Sequence, residues 1–149
     1  MKKVYPKEDA CIDCKLCEVA CLVEHSETKD IFKAYRETPR TLSKAFVEED
    51  GPNSISIQCR HCTDAPCIDA CITGAMQRQD EESAVIVDRE KCVGCWMCIM
   101  ACPFGAIQRD VRKKDKHKVS SKCDLCPGRN IPACVEICPN RALFFEDRG

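Results

Sequence analysis

The chain has 149 residues, a formal net charge of −1 and sixteen cysteines, about 11 % of its length and far above ordinary usage. Leu, Ile, Val and Phe together supply only 31 residues, the lower edge of what an ordinary side-chain core requires, so cysteine chemistry must help hold the chain together. The balanced charge gives no electrostatic basis for nucleic-acid binding, and no run of 18 apolar residues exists to span a membrane as a helix.

The N-terminus, Met1-Lys2-Lys3-Val4-Tyr5-Pro6, carries lysines with no apolar stretch after them, which predicts a cytoplasmic protein. Thiols in a reducing compartment point to metal binding rather than disulfides. The predicted elements follow in order. Lys3-Val4-Tyr5 reads as a strand and leads into Cys11, Cys14, Cys17 and Cys21, spaced C-x2-C-x2-C-x3-C. Residues 23–46 are polar and partly helical, and Glu49-Asp50-Gly51-Pro52 is a turn. Ser54-Ile55-Ser56-Ile57 precedes Cys59, Cys62, Cys67 and Cys71, and Gly74-Ala75-Met76-Gln77 returns after them.

Ala84-Val85-Ile86-Val87 is β-branched and short, a strand signal, and leads into Cys92, Cys95, Cys98 and Cys102. Residues 98–102 can form one helical turn that Pro103 stops. Gly105 then turns the chain into Ala106-Ile107-Gln108-Arg109. Lys118-Val119 precedes Cys123, Cys126, Cys134 and Cys138, and Ala142-Leu143-Phe144-Phe145 closes the chain. Strand, cysteine loop, helical turn and returning strand thus recur as an internal repeat, and no cysteine is left over.

A C-x2-C-x2-C loop winds tightly and offers three convergent soft thiolates. The fourth cysteine lies one helical turn on and points away from them. The C-x2-C-x2-C-x3-C-P run is the signature of two-cluster ferredoxins, in which that fourth cysteine ligates the other cluster. The third group matches it fully. The first has Leu22 in place of proline, and the second and fourth lengthen only the gap before the third cysteine. Structural zinc in all-cysteine sites is the competing reading, but the repeated third cysteine two residues on disfavours it. Tight loops such as Ile12-Asp13 and Val93-Gly94 are expected to aim N–H groups at the sulfurs.

With its sixteen cysteine positions filled from Cys11 to Cys138, the chain resembles the four-cluster ferredoxin-type iron–sulfur subunits of dimethyl sulfoxide reductase, formate dehydrogenase, hydrogenase and carbon monoxide dehydrogenase systems. Residues 18–21, 92–98 and 122–129 are most similar to the carbon monoxide dehydrogenase-associated type. The resemblance implies an α+β fold of two ferredoxin-like modules, small two-stranded sheets and short helices around the clusters. Residues 1–52 with 115–149 would form the outer module, and residues 53–114 the inserted inner one. It implies four [4Fe–4S] clusters held by Cys11, Cys14, Cys17 with Cys138; Cys123, Cys126, Cys134 with Cys21; Cys59, Cys62, Cys67 with Cys102; and Cys92, Cys95, Cys98 with Cys71. Spacing alone leaves open the other pairing, first group with second and third with fourth.

The implied function is an electron relay without a catalytic site of its own. It would join a redox enzyme, carbon monoxide dehydrogenase first and a formate dehydrogenase, hydrogenase or molybdopterin reductase second, to an acceptor. That acceptor would be a ferredoxin, a hydrogenase or a flavin-dependent NAD(P) oxidoreductase. Consistent with this, the sequence carries no Gly-rich phosphate loop and no nucleotide fingerprint. His61 reads as a plain loop residue because each group already has four cysteines, and His25 and His117 as surface residues. Trp96, between two cysteines, reads as cluster shielding or partner contact. The basic run Arg109, Arg112, Lys113, Lys114, Lys116, Lys118 and Lys122 reads as a solvated hairpin or a docking patch.

Overall fold

A computed structural model describes residues 1–148. The strands are β1 (Lys3–Pro6), β2 (Phe46–Asp50), β3 (Asn53–Ile57), β4 (Met76–Gln77), β5 (Ile86–Val87), β6 (Gln108–Val111), β7 (Lys118–Ser121) and β8 (Leu143–Glu146). The helices are α1 (Leu16–His25), α2 (Ile31–Ala34), α3 (Pro66–Asp69), α4 (Met97–Ala101) and α5 (Ala133–Ile137). The architecture is mixed α+β, with four separate two-stranded antiparallel sheets and short helices.

The sheets pair β1 with β8, β2 with β3, β4 with β5 and β6 with β7. This pairing makes the chain two similar halves that exchange strands. The first strand of the first half (β1) joins the last strand of the second (β8), with Val4 opposite Phe145. The first strand of the second half (β5) joins the last strand of the first (β4), with Met76 opposite Val87. Each half also holds one hairpin, β2–β3 and β6–β7. The turns of these two hairpins run over residues 51–52 and 112–117.

The cysteine loops repeat in backbone conformation as well as in spacing. The second residue after the leading cysteine has positive φ in every group: Asp13, His61, Gly94 and Leu125. Lys15 and Trp96 share a further left-handed position, at the N-caps of α1 and α4. Left-handed non-glycine residues cost roughly 1–2 kcal/mol each. Their recurrence marks a loop shape that local propensity does not favour.

Three cysteine groups end with a left-handed residue three positions after the last cysteine: Gly74, Gly105 and Arg141. Each of these turns leads into a returning strand. The first group has Glu24 at the same position, inside α1, so the helix runs on to His25. The chain then makes an excursion through α2, which Asp30 caps by accepting hydrogen bonds from the N–H groups of Phe32 and Lys33. It returns at β2, a strand the sequence reading missed because Phe46-Val47-Glu48-Glu49-Asp50 is too acidic to stand out. An ion pair between Lys113 and Glu37, at 2.8 Å, ties the excursion to the β6–β7 turn.

The core is thin and lies around the cysteines. One cluster packs Val4, Cys17, Cys134 and Leu143. A second packs Ala65, Cys67, Met76, Val85, Cys98 and Ile107. Between them lie Cys59, Ala106 and Cys123. No helix among the described residues is long and apolar enough to cross a membrane.

Candidate metal centres

All sixteen cysteines are free thiols, eight of them buried. Cys11, Cys14 and Cys17 line one cavity, and Cys138 lines it too. Cys21, one turn beyond Cys17 on α1, is also buried, and α1 packs against α5. Burial first pushes up the thiols of Cys123, Cys126 and Cys134, and the charge of Cys21 adds to each rise, behind that of Cys123 at Cys134; Cys123 reaches about 12. Burial and the nearby Cys59 and Cys102 likewise raise Cys62 and Cys67, the latter to about 11. Burial raises Cys98, and Cys92 and Cys71 add to the rise against a lowering hydrogen bond from Ser120. Cys95 belongs to the same loop and is exposed.

The juxtapositions follow from helix geometry. In α1 and α5 two cysteines sit four residues apart, one at or near each end of a turn, and the two helices pack together. The same holds for α3 and α4, with Cys67–Cys71 and Cys98–Cys102. Each helical stretch therefore carries two cysteines about one turn apart, beside a packed neighbour that carries two more.

The sulfurs accept hydrogen bonds, though not from the loops the sequence singled out. N–H groups of Ala142 (3.2 Å to Cys138), Met76 (3.4 Å to Cys71) and Ser120 (3.4 Å to Cys92) donate from returning or hairpin strands. His61 and Leu125 donate at 3.3 and 3.4 Å to the cysteines two residues before them, Cys59 and Cys123. Lys44 donates at 3.2 Å to Cys21. Among the described residues, no such bond comes from Ile12, Asp13, Val93 or Gly94. Met76 and Ser120 thus donate from strands and Ala142 from just before one, while His61, Leu125 and Lys44 donate from loops.

Two histidines depart from expectation. His61 is not a plain loop residue: it is fully buried, and its Nδ1 accepts from the Val85 N–H at 3.0 Å. Burial, with help from Lys122, lowers its pKa to about 3, so the ring is neutral. His25 is not on the surface. Its Nδ1 lies 2.8 Å from the Cys21 carbonyl oxygen and its Nε2 2.8 Å from Asp124. Burial pulls its pKa down, but the Asp124 and Cys21 contacts outweigh this and raise it to about 10. His117 is exposed, as expected. His25, Asp124 and Cys126 bring three donor atoms within 4.8 Å of one another. The Lys44 ammonium already supplies the positive charge there, 2.6 Å from Asp124.

Lys122, counted in the basic run, is buried and donates to the carbonyl oxygens of Val85 and Cys123. Arg112 pairs with Glu90 and Asp115, Lys113 with Glu27 and Glu37, and Lys114 with Glu90. The run is therefore not one solvated patch.

The donor set fits soft, positively charged cores. Buried thiols with raised pKa values are unfavourable as bare thiolates, and a metal core compensates the charge they take on when their protons leave. The N–H···S bonds are the outer contacts that iron–sulfur sites use to stabilise thiolate charge and tune potential.

The family model described as "4Fe-4S dicluster domain" matches residues 53–148. An iron-sulfur protein of Rhodospirillum rubrum is 38 % identical over 97 % of this chain and 81 % of its own length. Electron transport protein HydN of Escherichia coli K12 is 40 % identical over 93 % of this chain and 84 % of its own. Thiosulfate reductase electron transfer subunit PhsB of Salmonella typhi is 34 % identical over 93 % and 71 %.

Proposed function

We propose, because the chain belongs to the 4Fe-4S dicluster family of ferredoxin-type electron-transfer subunits, that it is a relay holding four [4Fe–4S] clusters in crossed ligand sets. When bound, such clusters supply one-electron carriers at potentials set by their surroundings. The residues holding them would be Cys11, Cys14, Cys17 with Cys138 (I); Cys123, Cys126, Cys134 with Cys21 (II); Cys59, Cys62, Cys67 with Cys102 (III); and Cys92, Cys95, Cys98 with Cys71 (IV). The observation that carries this reading is Cys138 lining the same cavity as Cys11, Cys14 and Cys17, 117 residues after the last cysteine of the first group.

The packing supports the order I–II–III–IV. Cys17 and Cys134 share one core cluster, Cys59 and Cys123 the next, and Cys67 and Cys98 the last. Sites II and III then lie inside, with Cys123, Cys126, Cys134, Cys21, Cys59 and Cys67 all buried. Sites I and IV each present one exposed cysteine, Cys14 and Cys95, as an end where electrons enter or leave.

The outer module, residues 1–52 with 115–149, would carry I and II, and the inserted residues 53–114 would carry III and IV. The chain would work in the cytoplasm beside a catalytic subunit and carry out no substrate chemistry itself, which suits the electron-transfer names of its relatives. Residues 92–98 and 122–129 favour a carbon monoxide dehydrogenase as the catalytic partner. A sulfur-compound reductase is the second reading, favoured by the Salmonella typhi relative.

The deciding experiment combines metal analysis with two variants. Anaerobically purified protein is expected to be brown and to contain about sixteen iron and sixteen sulfide per chain. Cys138→Ser should alter the paramagnetic signal of the same cluster as Cys11→Ser, and Cys21→Ser that of the same cluster as Cys123→Ser. Colourless protein with stoichiometric zinc would overturn the relay. A Cys138→Ser signature matching Cys123→Ser would overturn the crossed ligation.

A further inference from the structure

We infer that the Cys95 end of the molecule is a docking site for an acidic electron-transfer protein, built from Arg40, Arg109 and Lys118 around Trp96. The inference rests on the relay reading above and adds which end meets which kind of partner.

The loop of the third cysteine group lies directly on the start of β7. A Cβ on Gly94 would stand 2.7 Å from the Lys118 carbonyl oxygen, so only glycine permits this approach. The contact places Trp96 beside the β6–β7 hairpin. Arg109 of β6 lays its guanidinium over the indole, 5.2 Å from the ring centroid. Arg40, from the excursion after α1, reaches the same depression, which Trp96, Arg109 and Lys118 line with it. Exposed Val93 and Met97 flank Cys95 in the loop.

Charge separates Arg40, Arg109 and Lys118 from most neighbouring cations; of the basic run, exposed Lys116 is likewise without an ion pair among the described residues but does not line the depression. Arg112, Lys113, Lys114 and Arg89 all spend their charge on carboxylates of this chain, and Lys122 is buried. Arg40, Arg109 and Lys118 are exposed, and among the described residues none of them has a carboxylate within ion-pair distance. Asp110, which also lines the depression, is held by Arg89 at 2.8 Å. The net field of the patch is positive. A positive rim around an aromatic and apolar centre is the arrangement that steers and seats an acidic protein.

The Cys14 end differs. Its flanks, Ile12 and Leu16, are exposed and apolar. The charges nearby pair with each other, Lys15 with Asp13 and Arg129 with Glu136. Electron tunnelling falls steeply with distance, so a freely diffusing acidic carrier would meet the relay at Cys95 and not at Cys14.

The test measures reduction of the iron-loaded full chain in a stopped-flow instrument with two reductants, dithionite and a reduced acidic two-cluster ferredoxin. For Arg40→Glu/Arg109→Glu/Lys118→Glu, the second-order rate constant with the ferredoxin should fall at least about tenfold at low ionic strength. The difference should vanish near ~1 M salt, where the Debye length is ~3 Å. The charge-preserving Arg40→Lys/Arg109→Lys/Lys118→Arg should stay within about twofold of the parent, because steering depends on charge. Variants are compared at equal iron content. If the triple reversal loses iron, Arg40→Glu and Lys118→Glu are measured singly, each with an expected fall of about threefold under the same steering argument. If dithionite reduces the proteins alike and the ferredoxin does too, this docking assignment is overturned and the relay stands. If dithionite fails to reduce the parent, the relay itself falls.

Discussion

Arg141 occupies a left-handed turn position, φ +51°, where the equivalent residues of two other repeats are Gly74 and Gly105. A Cβ in that conformation costs about 1 kcal/mol or more, partly offset by the greater freedom glycine has when unfolded. Arg141→Gly should therefore stabilise the protein by about 0.5–1 kcal/mol, read as slower loss of the cluster absorbance on heating under argon. An unchanged or faster loss would show that the side chain compensates its backbone. Lys122 makes the second residue-scale case. Its ammonium is buried near Cys67, where it opposes the rise that burial gives that thiol. A fixed cation stabilises a cluster more after an electron is added than before. Lys122→Met should shift the midpoint of the cluster proposed at Cys59, Cys62, Cys67 and Cys102 negative by about 50–100 mV. Anaerobic potentiometry with paramagnetic resonance detection checks this. Neither Lys122 nor His61 was legible as a buried residue, since both stand beside a cysteine in polar sequence and only the packing of the two halves covers them.

At the scale of elements, the excursion between α1 and β2 is held to the β6–β7 turn by Lys113, with Glu37 at 2.8 Å and Glu27 at 3.4 Å. The Lys113 hydrogen bond is the main reason the Glu37 carboxyl is lowered to about 2. Lys113→Ala should loosen the excursion without touching any cysteine site. Trypsin cleavage after Lys33 or Arg36 should then speed up several-fold at unchanged iron content. Cleavage at the parent rate would mean that α2 is anchored by its own packing. The strand and helix positions around each cysteine group were readable because short β-branched runs, cysteine spacing and the Pro103 and Gly105 stops are local signals. β2 was not readable, because its strand character comes from pairing with β3 and not from its acidic side chains.

For the molecule as a whole, eight of the twenty-two buried apolar residues among those described are cysteines and seven are alanines. Side chains this small cannot supply the apolar burial that stabilises an ordinary domain of this length. Chelating the iron under anaerobic conditions should abolish the cooperative thermal transition and most of the strand signal in circular dichroism. Apo-protein with a sharp melt would instead show that the two-stranded sheets and their small cores suffice.

Composition and spacing by themselves determined that this chain is a cysteine-built, repeated α+β scaffold for soft metal centres, because C-x2-C loops and x3 helical turns are dictated by neighbours a few residues apart. Only the tertiary structure decided that distant Cys138 lines the cavity of Cys11, Cys14 and Cys17, where His61 and Lys122 are buried, and which cations of a continuous basic run pair with carboxylates. Those outcomes depend on contacts between distant segments, such as Cys11 and Cys138, 127 positions apart, and no local pattern encodes how two halves of a repeat exchange their ends.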